Sequence, residues 1–161
     1  MPDASSSGRR ALLLALVGYT VLLGVALLAP TSGHQSALAA HVRDLGLWVG
    51  FSPERATQER AEFLCNALIL APVPALGSLL WPRASWRDWT AAVFVAAGTV
   101  ELVQGLLLPE RTASYEDIVA NTLGGLLGAL AGLGVRRVLE RRAHPPANGG
   151  RNSTRDPGSI T

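Results

Sequence analysis

Four long apolar stretches, at 11–29, 63–80, 89–108 and 118–135, alternate along the chain with short polar segments that carry the arginines. Each approaches the ~20 residues (range ~17 to 25) that an α-helix needs to cross the hydrocarbon layer of a bilayer. Together they hold one ionised side chain, Glu101. The pattern predicts an all-α fold, a polytopic membrane helical bundle of four transmembrane helices occupying 11–135. A short N-terminal segment, 1–10, precedes it and a basic tail, 136–161, follows. After the first stretch Leu38, Val42, Leu45 and Val49 recur at helical spacing beside Trp48 and Phe51, while Arg43 and Asp44 fall on other faces. That predicts a short helix lying on the membrane surface, its aromatic rings at headgroup depth. Pro72 and Pro74 free backbone carbonyls inside the second stretch and predict a kink there.

Composition agrees. Hydrophobic residues make up 48% and charged residues 16% of the chain, where soluble domains carry about 25% charged residues. All 14 basic residues are arginine, and the formal charge is +2. Arg9 and Arg10, Arg83 and Arg87, and Arg136, Arg137, Arg141 and Arg142 fall on one side of a four-span arrangement. Arg43, Arg55, Arg60 and Arg111 fall on the other. The positive-inside rule then places both termini in the cytoplasm. The basic balance concerns orientation and anionic headgroups, and without interleaved aromatic and basic residues no nucleic acid is expected as a partner.

The remaining local signals are weak. Arg9-Arg10 ahead of an apolar stretch, with Ala37-Leu38-Ala39 as a small-residue motif, imitates a signal peptide. The stretch exceeds the ~7 to 15 residues of a signal core, however, and Pro30 ends it early, so a retained anchor is expected. Cys65 stands alone in an apolar run, which excludes an internal disulfide. His34 and His41, seven apart, lack a matched third ligand, so no metal is expected. Beyond Arg142 the Pro- and Gly-rich tail has little to bury and is expected to be disordered.

The candidate chemistry lies late in the chain. A carboxylate at the middle of a transmembrane helix costs roughly 2.5 to 3.5 kcal/mol, so Glu101 must be protonated, paired or hydrated. Gln104 follows it at i+3 on the same face. Pro109 stops the helix, and Arg111 is the only cation near enough in these two helices to pair with Glu101. Ser114 with Asp117 three residues on resembles a capping box opening the fourth helix. Asp117 and Asn121 share a face at i+4. The second helix, running the other way, brings Glu62 and Asn66 to the same depth, so three helices are expected to line one outward-facing polar pocket. Gly124, Gly128 and Gly132 form a small-residue stripe suited to close helix packing within the bundle or between copies, which leaves a homo-oligomer open.

Glu101-Leu102-Val103-Gln104, then Arg111, Asp117, Asn121-Thr122-Leu123-Gly124 and Gly128, resemble the signature of VanZ-like membrane proteins. Asn66 and the segment Pro72-Val73-Pro74-Ala75-Leu76-Gly77 are similar to that family's second helix. The resemblance covers 62–132. It departs at Ala71, where the family often has an aromatic residue, and the first helix and its loop carry no matching motif. It implies a multi-pass protein of the bacterial cytoplasmic membrane with a general envelope function, in a family named for an accessory protein linked to low-level resistance to the glycopeptide teicoplanin.

Three functions are consistent with the residues. One is an accessory protein whose pocket binds membrane lipids through a phosphate-bearing headgroup, favoured by Arg111 and the start of the fourth helix. A second is an intramembrane enzyme on envelope lipids, with Glu101 or Asp117 as general base and Arg111 as charge stabiliser, or with Glu101, Glu110, Glu116 and Asp117 offering oxygen ligands to a recruited divalent ion. The third is a structural or partner-binding module in which the polar set fixes helix register. No nucleophile motif, metal-ligand cluster or phosphate loop is present, and no cofactor is expected.

Overall fold

In lipid each helix must satisfy its own backbone, so apolar length decides where the helices run. The computed structural model describes residues 4–27, 33–108 and 114–143. Their elements are α1 (Ala4–Leu27), α2 (Gly33–Val49), α3 (Gln58–Leu70), α4 (Pro72–Leu80), α5 (Trp86–Leu107) and α6 (Tyr115–Ala143). Four helical stretches are long and apolar enough to cross a membrane: Ser6–Leu27, Gln58–Leu80, Trp86–Leu107 and Tyr115–Ala143.

The second span is α3 followed by α4. Pro72 and Pro74 have no N–H to give the carbonyls of Leu68 and Leu70, which interrupts the helix at Ala71. Ala71 itself stays helical in its dihedrals (φ −53°, ψ −37°), so the chain continues in nearly the same direction. The Tyr19 hydroxyl of α1 donates to the Ile69 carbonyl within this weakened turn.

α6 is the central helix and packs against α3, α4 and α5. Its most apolar window is 39% buried, whereas that of α1 is 11% buried, so α1 lies at the periphery against α4. The second and fourth spans run parallel, and small residues set their spacing. A Cβ on Gly124 would collide with the Ala67 backbone, one on Gly128 with Ala71, and one on Gly132 with Ala75. Both rows repeat every four residues, so the two backbones meet along more than two turns. The glycine stripe is thus occupied within the chain.

α2 follows α1 and rests on α3. Ala39 is fully buried on its inner side, while Leu45, Trp48, Val49 and Phe51 beyond its end are exposed, Trp48 by 83%. A helix is thus present where the sequence predicts one.

Several boundaries differ from the sequence reading. The second span begins at Gln58, five residues before 63, because Thr57 accepts the Arg60 N–H and caps α3. Helix α6 also runs past the expected tail boundary at 136. Residues 136–143 continue α6, helped by an Arg136–Glu140 pair at i+4 and by Arg136 Nη1 donating to the Pro82 carbonyl at 3.0 Å. The rest of the expected tail, 144–161, lies outside the described residues.

Candidate functional site

The inward stripe of α5 runs through Val93, Ala97, Glu101 and Gln104. The same helical period that turns Val93 and Ala97 into the bundle therefore turns Glu101 inward, to 5% exposure, and Gln104, to 4%. On α6 the buried side includes Ala120, Asn121, Gly124 and Gly125.

Glu101 Oε2 accepts the backbone N–H of Ser114 at 2.8 Å. Ser114 stands immediately before α6, and its Oγ accepts from the N–H groups of Glu116 and Asp117 at 3.1 and 3.4 Å. Half of the expected capping box is therefore formed. The other half goes to a distant residue: the Ser114 N–H that Asp117 would have taken is held by Glu101. A carboxylate is well placed at this end of α6, where unpaired N–H groups give the helix a partial positive charge.

Asp117 also reaches another helix. Its Oδ1 accepts from Asn66 Nδ2 of α3 at 2.7 Å. Both Glu101 and Asp117 have interactions beyond these. Asn66, Glu101 and Asp117, with Ser114, thus tie α3, α5 and α6 together at one end of the bundle.

The other expected members go elsewhere. Gln104 Nε2 donates to the Leu27 carbonyl at 2.7 Å, strapping α5 to the last turn of α1. Glu62 accepts from Gln58 Nε2 at 2.9 Å, and that amide also reaches the Ser36 carbonyl at 3.1 Å, so Glu62 serves the α2–α3 junction. Arg111 and Glu110 lie outside the described residues. Among the described residues no three His, Cys, Asp or Glu side chains converge on a common point.

Asn121 is 6% exposed. Instead of joining Asn66 and Asp117, it lines a cleft of about 300 Å³ bounded by Thr20 and Gly24 of α1 and by Ala92, Ala96 and Val100 of α5. Sequence reasoning missed this cleft. It also missed Tyr19, although a hydroxyl inside an apolar run was a signal, and Trp89, which packs over Gly77 and lies 6.1 Å from Trp81. At the opposite, arginine-rich end Arg83, Ser85 and Arg136 line a hollow of about 230 Å³. There Ser85 and Asp88 form a complete capping box at the start of α5.

No curated protein and no solved structure matches this chain. The VanZ/LLP1 family profile matches residues 12–136, from the first turns of α1 into the last turns of α6. That span includes α1 and α2, which carry no matching motif. A match over most of the 161 residues, together with an all-helical fold and four apolar spans, shows that the chain belongs to the VanZ/LLP1 family and is a VanZ-like membrane protein.

Proposed function

We propose that the polar end of the bundle holds the phosphate-bearing headgroup of a membrane lipid on the outer side of a bacterial cytoplasmic membrane. The observation that carries this reading is the placement of two carboxylates, buried Glu101 and half-buried Asp117, beside the start of α6 at the rim of an otherwise apolar bundle. Intramembrane ionisable groups are costly and tend to mark functional sites. Arg111, three residues before Ser114 in sequence, supplies the cation for the phosphate, while the carboxylates suit donor groups such as headgroup hydroxyls or an ammonium. The arginines that flank α4, α5 and α6 favour the opposite end as the cytoplasmic one.

The test is lipid mass spectrometry on protein extracted gently from its native membrane, beside Glu101→Gln, Asp117→Asn and Arg111→Ala variants matched for folding. Enrichment of one phospholipid class by the wild type, lost in all three variants, is the expected result. Identical bulk lipid on all four proteins sinks the headgroup reading. In a glycopeptide-susceptible bacterial host, expression is expected to lower teicoplanin susceptibility only in the forms that retain the lipid.

A second reading is favoured by the Glu101–Ser114 contact. A carboxylate that caps α6 also fixes the α5–α6 register, and a structural module needs no more than that. It predicts that Glu101→Gln, which keeps an acceptor oxygen, preserves every property. An enzymatic role for Glu101 or Asp117 requires turnover of a labelled envelope lipid by the purified protein.

A further inference from the structure

α1 packs chiefly on α4. It is pinned at two places, by Tyr19 to the Ile69 carbonyl and by the Gln104 amide to its own Leu27 carbonyl. Between α1 and α5 the wall stays open, because the facing residues are short: Gly24 on α1, and Ala92 and Ala96 on α5. Small side chains on both walls leave the gap between the helices unfilled. The resulting cleft follows α5 from Trp89 to Val100, which at 1.5 Å per residue is ~16 Å, about half of a ~30 Å hydrocarbon layer. Thr20, Ala92 and Ala96 are exposed along it, so it opens sideways toward the membrane rather than toward water.

The Asn121 side chain reaches the cleft from α6, with more than nine-tenths of that residue buried, and Trp89, whose Nε1 is buried without a hydrogen-bond partner, lines the cleft from α5. None of the described residues hydrogen-bonds the Asn121 amide. A buried amide without a partner costs about 1 to 3 kcal/mol by mutational measures, and hydrocarbon offers it nothing. Asn121 lies one turn beyond Asp117 on α6, and Val100 directly precedes Glu101. The cleft and the polar cluster are therefore neighbours along both helices.

We propose that this cleft seats one hydrocarbon chain of a membrane amphiphile, with Asn121 hydrogen-bonding an oxygen where the chain meets its head. The inference rests on the headgroup reading and extends it to the ligand's other half: the polar cluster takes the head, and the α1–α5 cleft takes one tail entering laterally from the bilayer. The ligand class is a long-chain lipid with an ester, phosphoester or hydroxyl oxygen at the head–chain junction.

The test uses the full chain in phosphatidylcholine vesicles doped with phosphatidylglycerol carrying a photoreactive diazirine at mid-chain. A parallel sample holds the diacylglycerol with the same chains. After irradiation, adducts are mapped by peptide mass spectrometry. Phe94, Val95 and Leu102 are exposed residues of α5 that do not line the cleft and report ordinary lipid contact. Adducts at Ala92, Ala96 and Val100 are expected to exceed those by about tenfold, the ratio given by ~1.4 kcal/mol of preference. Ala96→Phe, which fills the cleft from an exposed position, is expected to remove the excess without lowering the unfolding temperature. Gly24→Leu does the same from the α1 wall, and Asn121→Leu lowers the excess.

Labelling spread evenly around α5 and indifferent to Ala96→Phe and Gly24→Leu overturns the proposal. The two lipids separate it from the reading beneath it. Equal cleft labelling by phosphatidylglycerol and diacylglycerol keeps the tail site and removes the headgroup site. Retention of phosphatidylglycerol with evenly spread adducts keeps the headgroup site and removes the tail site.

Discussion

Asn66 of α3 donates to Asp117 of α6 at 2.7 Å, joining residues 51 positions apart in the chain. Beside it, Glu101 holds the Ser114 N–H that a local capping box would give to Asp117. The start of α6 is thus capped from α5, while the Asp117 carboxylate bridges to α3.

The bridge has a measurable strength. Interhelical hydrogen bonds in membranes average ~0.6 kcal/mol and reach ~1.7. A double-mutant cycle with Asn66→Leu and Asp117→Leu, followed by reversible unfolding in mixed micelles, is expected to return a coupling energy in that range. A coupling indistinguishable from zero would show that the contact contributes nothing to stability.

At Glu101 the charge and the acceptor can be separated. Glu101→Gln keeps an oxygen for the Ser114 N–H and is expected to fold with a loss of under about 1 kcal/mol, while Glu101→Leu leaves that N–H without its acceptor at a cost of about 1 to 3 kcal/mol. Thermal unfolding of the two variants beside wild type checks the order. If Leu is tolerated as well as Gln, the cap is dispensable.

Glycines of α6 should divide sharply. Gly128→Ala drives a methyl into the Ala71 carbonyl, which cannot move away without shifting α4. Overpacking of this kind costs roughly 1 to 3 kcal/mol. Gly134→Ala meets open space and is expected to be neutral or mildly stabilising, since Ala is preferred to Gly in a helix by about 0.5 to 1 kcal/mol. Equal melting temperatures for the two variants would contradict the packing described here.

Trp48 reports the position of α2. With Trp81, Trp86 and Trp89 replaced by Phe, its fluorescence in vesicles is expected to be quenched strongly by lipids brominated near the headgroup and weakly by those brominated near the chain end. The opposite order would place α2 within the hydrocarbon core rather than at its surface.

Most of the architecture was legible along the chain. The four spans, the helix between the first two and the interruption at Pro72 follow from local apolar length, periodicity and a missing backbone donor. Each helix in lipid bonds to itself, so these features need no knowledge of neighbours. The glycine stripe was legible too, but its complement was not. Ala67, Ala71 and Ala75 are unremarked alanines until the parallel course of the second and fourth spans sets them against Gly124, Gly128 and Gly132.

The sequence by itself determined which residues are too polar to face lipid, because burial cost is a property of the side chain. Only the tertiary structure decided how they are paired. Gln104 shares a face with Glu101 yet bonds to α1, Glu62 shares a face with Asn66 yet bonds to Gln58, and Asn121 turns from the cluster toward the cleft. Hydrogen bonds act over about 3 Å, so a partner is chosen by the rotation and depth of helices from distant parts of the chain. Those quantities come from packing small residues against backbone, and no single helix encodes them.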